Sequence, residues 1–344
     1  MRYTIQARRA VYQEPFYVKA ESVPDSIRSA VTTDGRRFPA QKTPDGFVVI
    51  ADAARDIPIE LELSDESLGG GVSLLPAANE DALEVRIDDQ LFTRYVYSDA
   101  FLKPFLGPVY ASTGIPFTRL DLETKEHPHQ RSVFVAVGDV NGVDFWNEYG
   151  NYGRERAGAP EEIICGPAYG RFSAQNTWET LDGTPYLAER RTFTFYHQGN
   201  ACRTVDLNVT FTASYGEVKF GPTKEAGPLG IRVNEAIRAD RGGHFHNAYG
   251  AENEAECWGR PASWCDYAGI IDGRTYGIAA FDHEDNERYP TTWHIRNYGL
   301  FAANNLYFKG GLTIPAGESL TYRFRLCFYE QELDTAARFL QWAR

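Results

Sequence analysis

Apolar and polar residues alternate with a period of two along much of the chain, a pattern of strands rather than helices. Ile57, Ile59, Leu61 and Leu63 alternate with Pro58, Glu60 and Glu62. Val205, Leu207, Val209 and Phe211 alternate with Asp206, Asn208 and Thr210. Leu320, Tyr322, Phe324, Leu326 and Phe328 alternate with Thr321, Arg323 and Arg325. Successive side chains of a strand point to opposite faces, so each segment sets one face on a core and the other toward water or a groove. Turn residues at Thr33-Asp34-Gly35, Pro44-Asp45-Gly46 and Asp88-Asp89-Gln90 separate such runs, and the last joins a hairpin over 83–87 and 91–97. The clearest helix is C-terminal, over 334–344, with Asp334 as its cap and Ala337, Phe339, Leu340 and Trp342 on its apolar side.

The polar, Gly-rich stretch SDESLGGGVSLLPAANED at 64–81 marks a junction, placed near residue 76. Residues 1–76 then form a small β unit, and 77–344 one large all-β domain. Antiparallel strands packed as a sandwich fit this pattern. Composition agrees: 20 Tyr and 21 Phe stand against a single Met, with 31 Gly for turns.

The net charge of −12 argues against a nucleic-acid binder, which needs a basic surface to meet phosphates, and against an anionic membrane surface. The most hydrophobic run, 133–137, is far too short to span a bilayer. The segment MRYTIQARRAVYQEPF has no apolar stretch of signal-peptide type. Five Cys without any CxxC exclude a complete disulfide framework and disfavour a zinc knuckle, so buried thiols in a cytoplasmic protein are expected.

Several segments could carry chemistry. In HPHQR, an extended strand would point His127, His129 and Arg131 the same way. That trio suits an oxygen-rich or anionic ligand with His as acid or base, and His127 with His129 could hold a divalent metal. The Asn141-Gly142 turn would set Asp139 opposite Asp144, with Trp146 beyond as core or sugar platform. Lys224 and Glu225 lie in a Gly/Pro-flanked loop. Trp258, Trp264 and Asp266 combine aromatic rings with a carboxylate, as sugar sites do. The densest run supplies Asp282, His283, Trp293, His294 and Arg296. Its His-Ile-Arg echoes HPHQR, and two such strands facing one groove would make a cationic patch inside an acidic protein. His244 and His246, beside Gly242-Gly243, read as a polar loop. No GxSxG, HExxH, P-loop or dinucleotide fingerprint is present.

EHPHQRSVFVAVGDVNGVDFW, TKEAGPLGIRV, WGRPASWCDY, GIAAFDHEDNERYPTTWH and YGLFAANN resemble, in order and over about residues 83–328, the bacterial family labelled "methane oxygenase PmoA". A membrane-embedded oxygenase subunit needs apolar spans that this chain lacks, so the label is not read as an activity. The resemblance implies a large antiparallel β-supersandwich, similar to galactose mutarotases and some polysaccharide lyases, and a role in sugar catabolism. It implies shared functional positions at His127, His129, Arg131, Asp144, Trp146, Lys224, Glu225, Asp266, Asp282, His283, Trp293 and His294. The chain departs from the family at Gln130, where a second His is usual, and at Asn304-Asn305, where Asn-Pro is usual.

The expectation is a carbohydrate-active enzyme, a C–O lyase or hydratase. Its acid and base would come from His127, His129, His294 and Glu225. Arg131, Arg296 or Lys224 would stabilise an enolate-like intermediate. The alternatives are a sugar epimerase or mutarotase, and a non-catalytic carbohydrate-binding protein. The expected partner is a small sugar or oligosaccharide bearing a carboxylate or keto group.

Overall fold

The computed structural model of the protein describes residues 2–120 and 126–343. Two large antiparallel sheets dominate it. The eight-stranded sheet runs in the order Trp293–Ile295, Leu300–Ala303, Ala226–Arg232, Val133–Val137, Phe105–Leu106, Gln90–Val96, Ala82–Ile87 and Val72–Pro76. The nine-stranded sheet is centred on Pro185–Tyr196, Cys202–Thr212 and Ser319–Tyr329.

The alternation read from sequence decides which faces meet. Val205, Leu207, Val209 and Phe211 are fully buried on one side of their strand, and Phe324, Leu326 and Phe328 on one side of theirs. Each such side chain contributes about 1.5–3 kcal/mol of burial. From the other sheet, Phe92 meets Phe195 and Phe328 edge-on at 6.4 and 5.9 Å, and Tyr95 lies 4.9 Å from Phe172. These aromatic contacts close the core of an all-β supersandwich.

A six-stranded sheet formed between Arg2 and Ser64 has its own core of Phe16, Ile27, Phe38, Phe47, Val49 and Leu61. Val72–Pro76, placed in the first unit by the sequence reading, instead pairs with Ala82–Ile87 of the eight-stranded sheet. The change of sheet therefore falls at 65–71, where three successive glycines adopt positive φ.

The hairpin turns form as expected. Asp88 and Asp89 have φ of 51° and 62°, Asn141 and Gly142 of 52° and 85°, the left-handed pair that a two-residue turn of this hand requires. The C-terminal helix spans Thr335–Trp342, and the Asp334 carboxylate accepts the Ala337 N–H at 2.9 Å. Its apolar side is narrower than predicted, because Leu340 is exposed. His244 and His246 lie on the edge strand His244–Asn247 rather than in a loop. All five cysteines are free, and Cys165 is exposed where a buried thiol was expected. Among the described residues, no helix is long and apolar enough to cross a membrane.

Candidate functional site

One face of the eight-stranded sheet packs into the sandwich, and the other forms the floor of the candidate site. The register sets His294 opposite Ala302, Ala302 opposite Gly230, and Gly230 opposite Phe134. Ala302 and Gly230 are the small residues in the middle of this row, the Phe134 ring lies over Gly230, and buried His294 stands at one side.

His294 sits in the middle of Trp293–Ile295 and is 6% exposed. Its Nδ1 lies 2.7 Å from the backbone carbonyl oxygen of Lys224. A carbonyl only accepts, so Nδ1 carries the proton and donates it. Nε2 is then a bare lone pair. That nitrogen is buried and has no hydrogen-bond partner among the described residues. Burial, with the charges of Arg296 and Lys224, lowers the imidazole to about 4 against the opposing Lys224 carbonyl bond. The ring is neutral near pH 7 and poised to accept a proton. The Lys224 carbonyl also accepts from the Asn304 side chain at 2.8 Å, so Asn304 helps position the ring's anchor.

Trp258 stands edge-on to His294 at 6.2 Å. Its Nε1 is likewise buried and unpartnered. Tyr307 and Phe308 pack beside it and remain 42% and 49% exposed, forming an aromatic wall.

Tyr298 joins the other half of the site. His127 stacks on its ring at 5.0 Å, nearly parallel, and Arg232 and Arg296 lie over it at 4.8 and 5.5 Å. Burial raises its phenol, so the hydroxyl keeps its proton at neutral pH. HPHQR is a turn rather than the expected strand: His127 has φ of 51°, and Gln130 N–H donates to the His127 carbonyl at 3.0 Å. His127 and His129 still end with their rings 5.9 Å apart. Burial lowers both, His129 to about 3. Among the described residues, no third His, Cys, Asp or Glu joins them in a metal-holding group.

The cations are not free. Arg131 holds both oxygens of Glu148 at 2.5 and 2.9 Å, and buried Lys103 reaches the same carboxylate at 3.2 Å. Burial alone would raise Glu148, but the Arg131 hydrogen bonds and the Lys103 charge hold it at about 2. Arg296 lies 2.8 Å from Glu254, and Lys224 lies 3.3 Å from Glu225. Arg232 faces Glu126 at 3.3 Å and donates to Gln130 at 2.7 Å. The unbalanced cationic patch expected from sequence is therefore compensated: each of these bases has a carboxylate beside it.

The structure brings together His127, His129, Arg131, Lys224, Glu225, His294 and Arg296 on this side of the molecule. It gives the remaining candidates structural contacts of their own. Trp146 is 1% exposed and packs edge-on against Phe134, so it is core rather than a platform. Trp293 points into the sandwich and donates Nε1–H to the Ala262 carbonyl. Asp144 accepts from the backbone of Trp146 and Asn147 and from the Asn147 side chain, stabilising its own turn. Asp139 accepts from Gly142 N–H, so each carboxylate of that hairpin is satisfied locally. Asp266 accepts from Tyr329 and Thr335 under the C-terminal helix. Asp282, raised by burial to about 6, ties down the following loop through Asn286 and Thr291. His283 packs against Trp342 on the nine-stranded sheet's far side. The sequence reading missed Tyr298, Arg232, Lys103 and Glu148.

Residues 82–342 match the profile of a family of unknown function, DUF6807. The chain belongs to this family. The description of DUF6807 names no activity, methane oxidation included. Among curated proteins, none matches the sequence. Among solved structures, the chain is similar to the GH36 α-galactosidase AgaA of Geobacillus stearothermophilus, complexed with stachyose. Identity there is 13% over 77% of this chain and 41% of that one, with a TM-score of 0.37. It is similar to galactose 1-epimerase of Lactobacillus acidophilus, at 8% identity over 77% of this chain and all of that one, with a TM-score of 0.32. It is also similar to a polysaccharide lyase, at 11% identity over 78% and 34%, with a TM-score of 0.32. The chain spans about two fifths of the length of the α-galactosidases it matches. None of these comparisons assigns a role to a residue.

Proposed function

We propose that this DUF6807 protein is a carbohydrate-active enzyme of the C–O lyase or hydratase class, with His294 as its general base. The observation that carries this reading is the buried, unpartnered Nε2 of His294, held in one tautomer by the Lys224 carbonyl. A neutral base so fixed has a proton to take from something not in the protein. The aromatic wall of Trp258, Tyr307 and Phe308 beside it suits the C–H face of a sugar ring. Because the surrounding cations already have carboxylate partners, the fitting substrate is a neutral keto-sugar rather than a uronate.

In the proposed step, Nε2 removes a proton from carbon α to the keto group. The C–H electron pair becomes the C=C bond of an enolate, whose oxygen Arg296 or Lys224 stabilises. The enolate then collapses, the adjacent C–O bond breaks, and the leaving oxygen takes the proton that His294 Nε2 has just removed, which restores the neutral base. Hydration is the reverse sequence with water as the oxygen nucleophile. The five free thiols suit a cytoplasmic setting.

Mass spectrometry after incubation with 3-keto-glycosides and uronates tests the reading. The expected result is an unsaturated or hydrated product from the keto-glycosides, lost in His294→Gln. No mass change with any of them would overturn the lyase chemistry. Anomer exchange seen by polarimetry without a mass change would replace it with a mutarotase.

A further inference from the structure

On the opposite side of the sandwich, a cleft of about 760 Å³ lies between the nine-stranded sheet, the strand Val11–Lys19 and the C-terminal helix. It adjoins a lobe of about 300 Å³ that shares Tyr17, Lys19, Arg171 and Thr194 with it. Sites for small molecules have this size. Its floor is the polar half of the alternation that buries Val205, Leu207 and Phe324. Arg171, Thr194, Asp206 and Arg325 stand in one register row across neighbouring strands. Asn208 and Arg323 form the next row on the same face.

The carboxylates on and beside this floor are already committed. Asp206 holds Arg325 through bonds of 2.6 and 2.8 Å and accepts the Tyr196 hydroxyl at 2.6 Å. Glu14 is shared between Arg325 and Arg338. The charged groups left open are donors. Arg171 and Lys19 make no ion pair among the described residues. Among the described residues the Arg323 side chain pairs only with Asp285, 3.6 Å away, with both side chains substantially exposed. His283 Nδ1 accepts the Asp285 N–H at 3.1 Å, so the neutral ring carries its proton on Nε2 as a further donor. The far lobe has one carboxylate on its wall, Asp45. Trp342 supplies an apolar edge.

We propose that this cleft is a second ligand site, for an acidic molecule of about disaccharide size. Its carboxylate or phosphate binds Arg171, with Lys19 beside it. Its hydroxyl-bearing body runs along Thr194 and Asn208 toward Arg323 and His283. Arg171 and Arg323 lie on strands three steps apart, about 14 Å at ordinary strand spacing, so a single small oxyanion cannot engage both. The site is independent of the His294 chemistry.

Isothermal titration calorimetry of the full chain tests this with four probes: inorganic phosphate, a hexose phosphate, a digalacturonate and neutral maltose. The expected result is binding of the hexose phosphate or the digalacturonate, and which one binds identifies the headgroup. Maltose should bind at least about tenfold more weakly, and Arg171→Ala should weaken the acidic probe by about tenfold or more, as loss of a charge-assisted bond does. The Arg171 side chain makes no hydrogen bond among the described residues, so the variant should fold, and Arg171→Gln provides a closer steric control. His294→Gln should leave this binding unchanged. The proposal is overturned if neither acidic probe binds, if maltose binds equally well, or if Arg171→Ala binds as tightly as the parent.

Discussion

At the residue scale, His294 concentrates the functional argument in one nitrogen. His294→Gln keeps a polar side chain of similar reach but removes the base, and should lower kcat by about 10²–10⁴-fold without a comparable change in KM. The same burial makes a stability prediction. In the folded state His294 titrates at about 4 and His129 at about 3, against an ordinary 6.5. Between these values the unfolded chain binds more protons, so stability falls as pH drops. At about 1.4 kcal/mol for each pH unit separating two such values, His294 alone accounts for on the order of 3 kcal/mol. Thermal melts should lose stability steadily below about pH 6.5, and less steeply in His294→Gln. Equal slopes for both would show that the ring is solvated. The His-Ile-Arg motif was legible because period-two spacing put His294 and Arg296 on one face. Tyr298 was not, being one of 20 tyrosines with no local signal. The carboxylates that neutralise the arginines come from distant segments such as Glu126, Glu148 and Glu254, and spacing along a chain says nothing about such partners.

At the element scale, the alternation predicted the long strands well, because burial of one sheet face is written directly into residue order. HPHQR was misread for a reason visible in the sequence. Pro128 cannot donate to a ladder, and proline rarely enters a central strand. Gly230 illustrates the opposite case, a residue whose meaning needed the partner strand. A Cβ placed there would lie 2.6 Å from the Phe134 ring across the sheet. Phe134 in turn packs edge-on against Trp146. Gly230→Ala should therefore cost about 1–3 kcal/mol through overpacking, measured by urea denaturation. A neutral result would mean that Phe134 relaxes freely.

At the scale of the whole molecule, the six-stranded sheet is fastened by a buried charge cluster. The Glu14 carboxylate binds Arg325 at 2.9 Å and Arg338 at 2.7 Å, and Arg338 also reaches the Tyr12 carbonyl. Removing one member of a buried ion pair strands the others, at a cost of roughly 3–5 kcal/mol. Glu14→Ala should lower stability by that order and open the Gly-rich segment at 65–71 to limited proteolysis. Unchanged cleavage would show that the apolar contacts of Val48 and Ile50 with Tyr169 and Tyr196 suffice to hold the sheet.

The position of Glu14 also bears on how the protein is made. Its partners follow 311 and 324 residues later, which at about 5–20 residues per second is a delay of roughly 15–60 s on the ribosome. Throughout that interval the first sheet can pair its own strands, yet it carries a carboxylate whose counter-ions have not been synthesised. The early sheet is thus built to wait, and the helix Thr335–Trp342 is the piece that seats it.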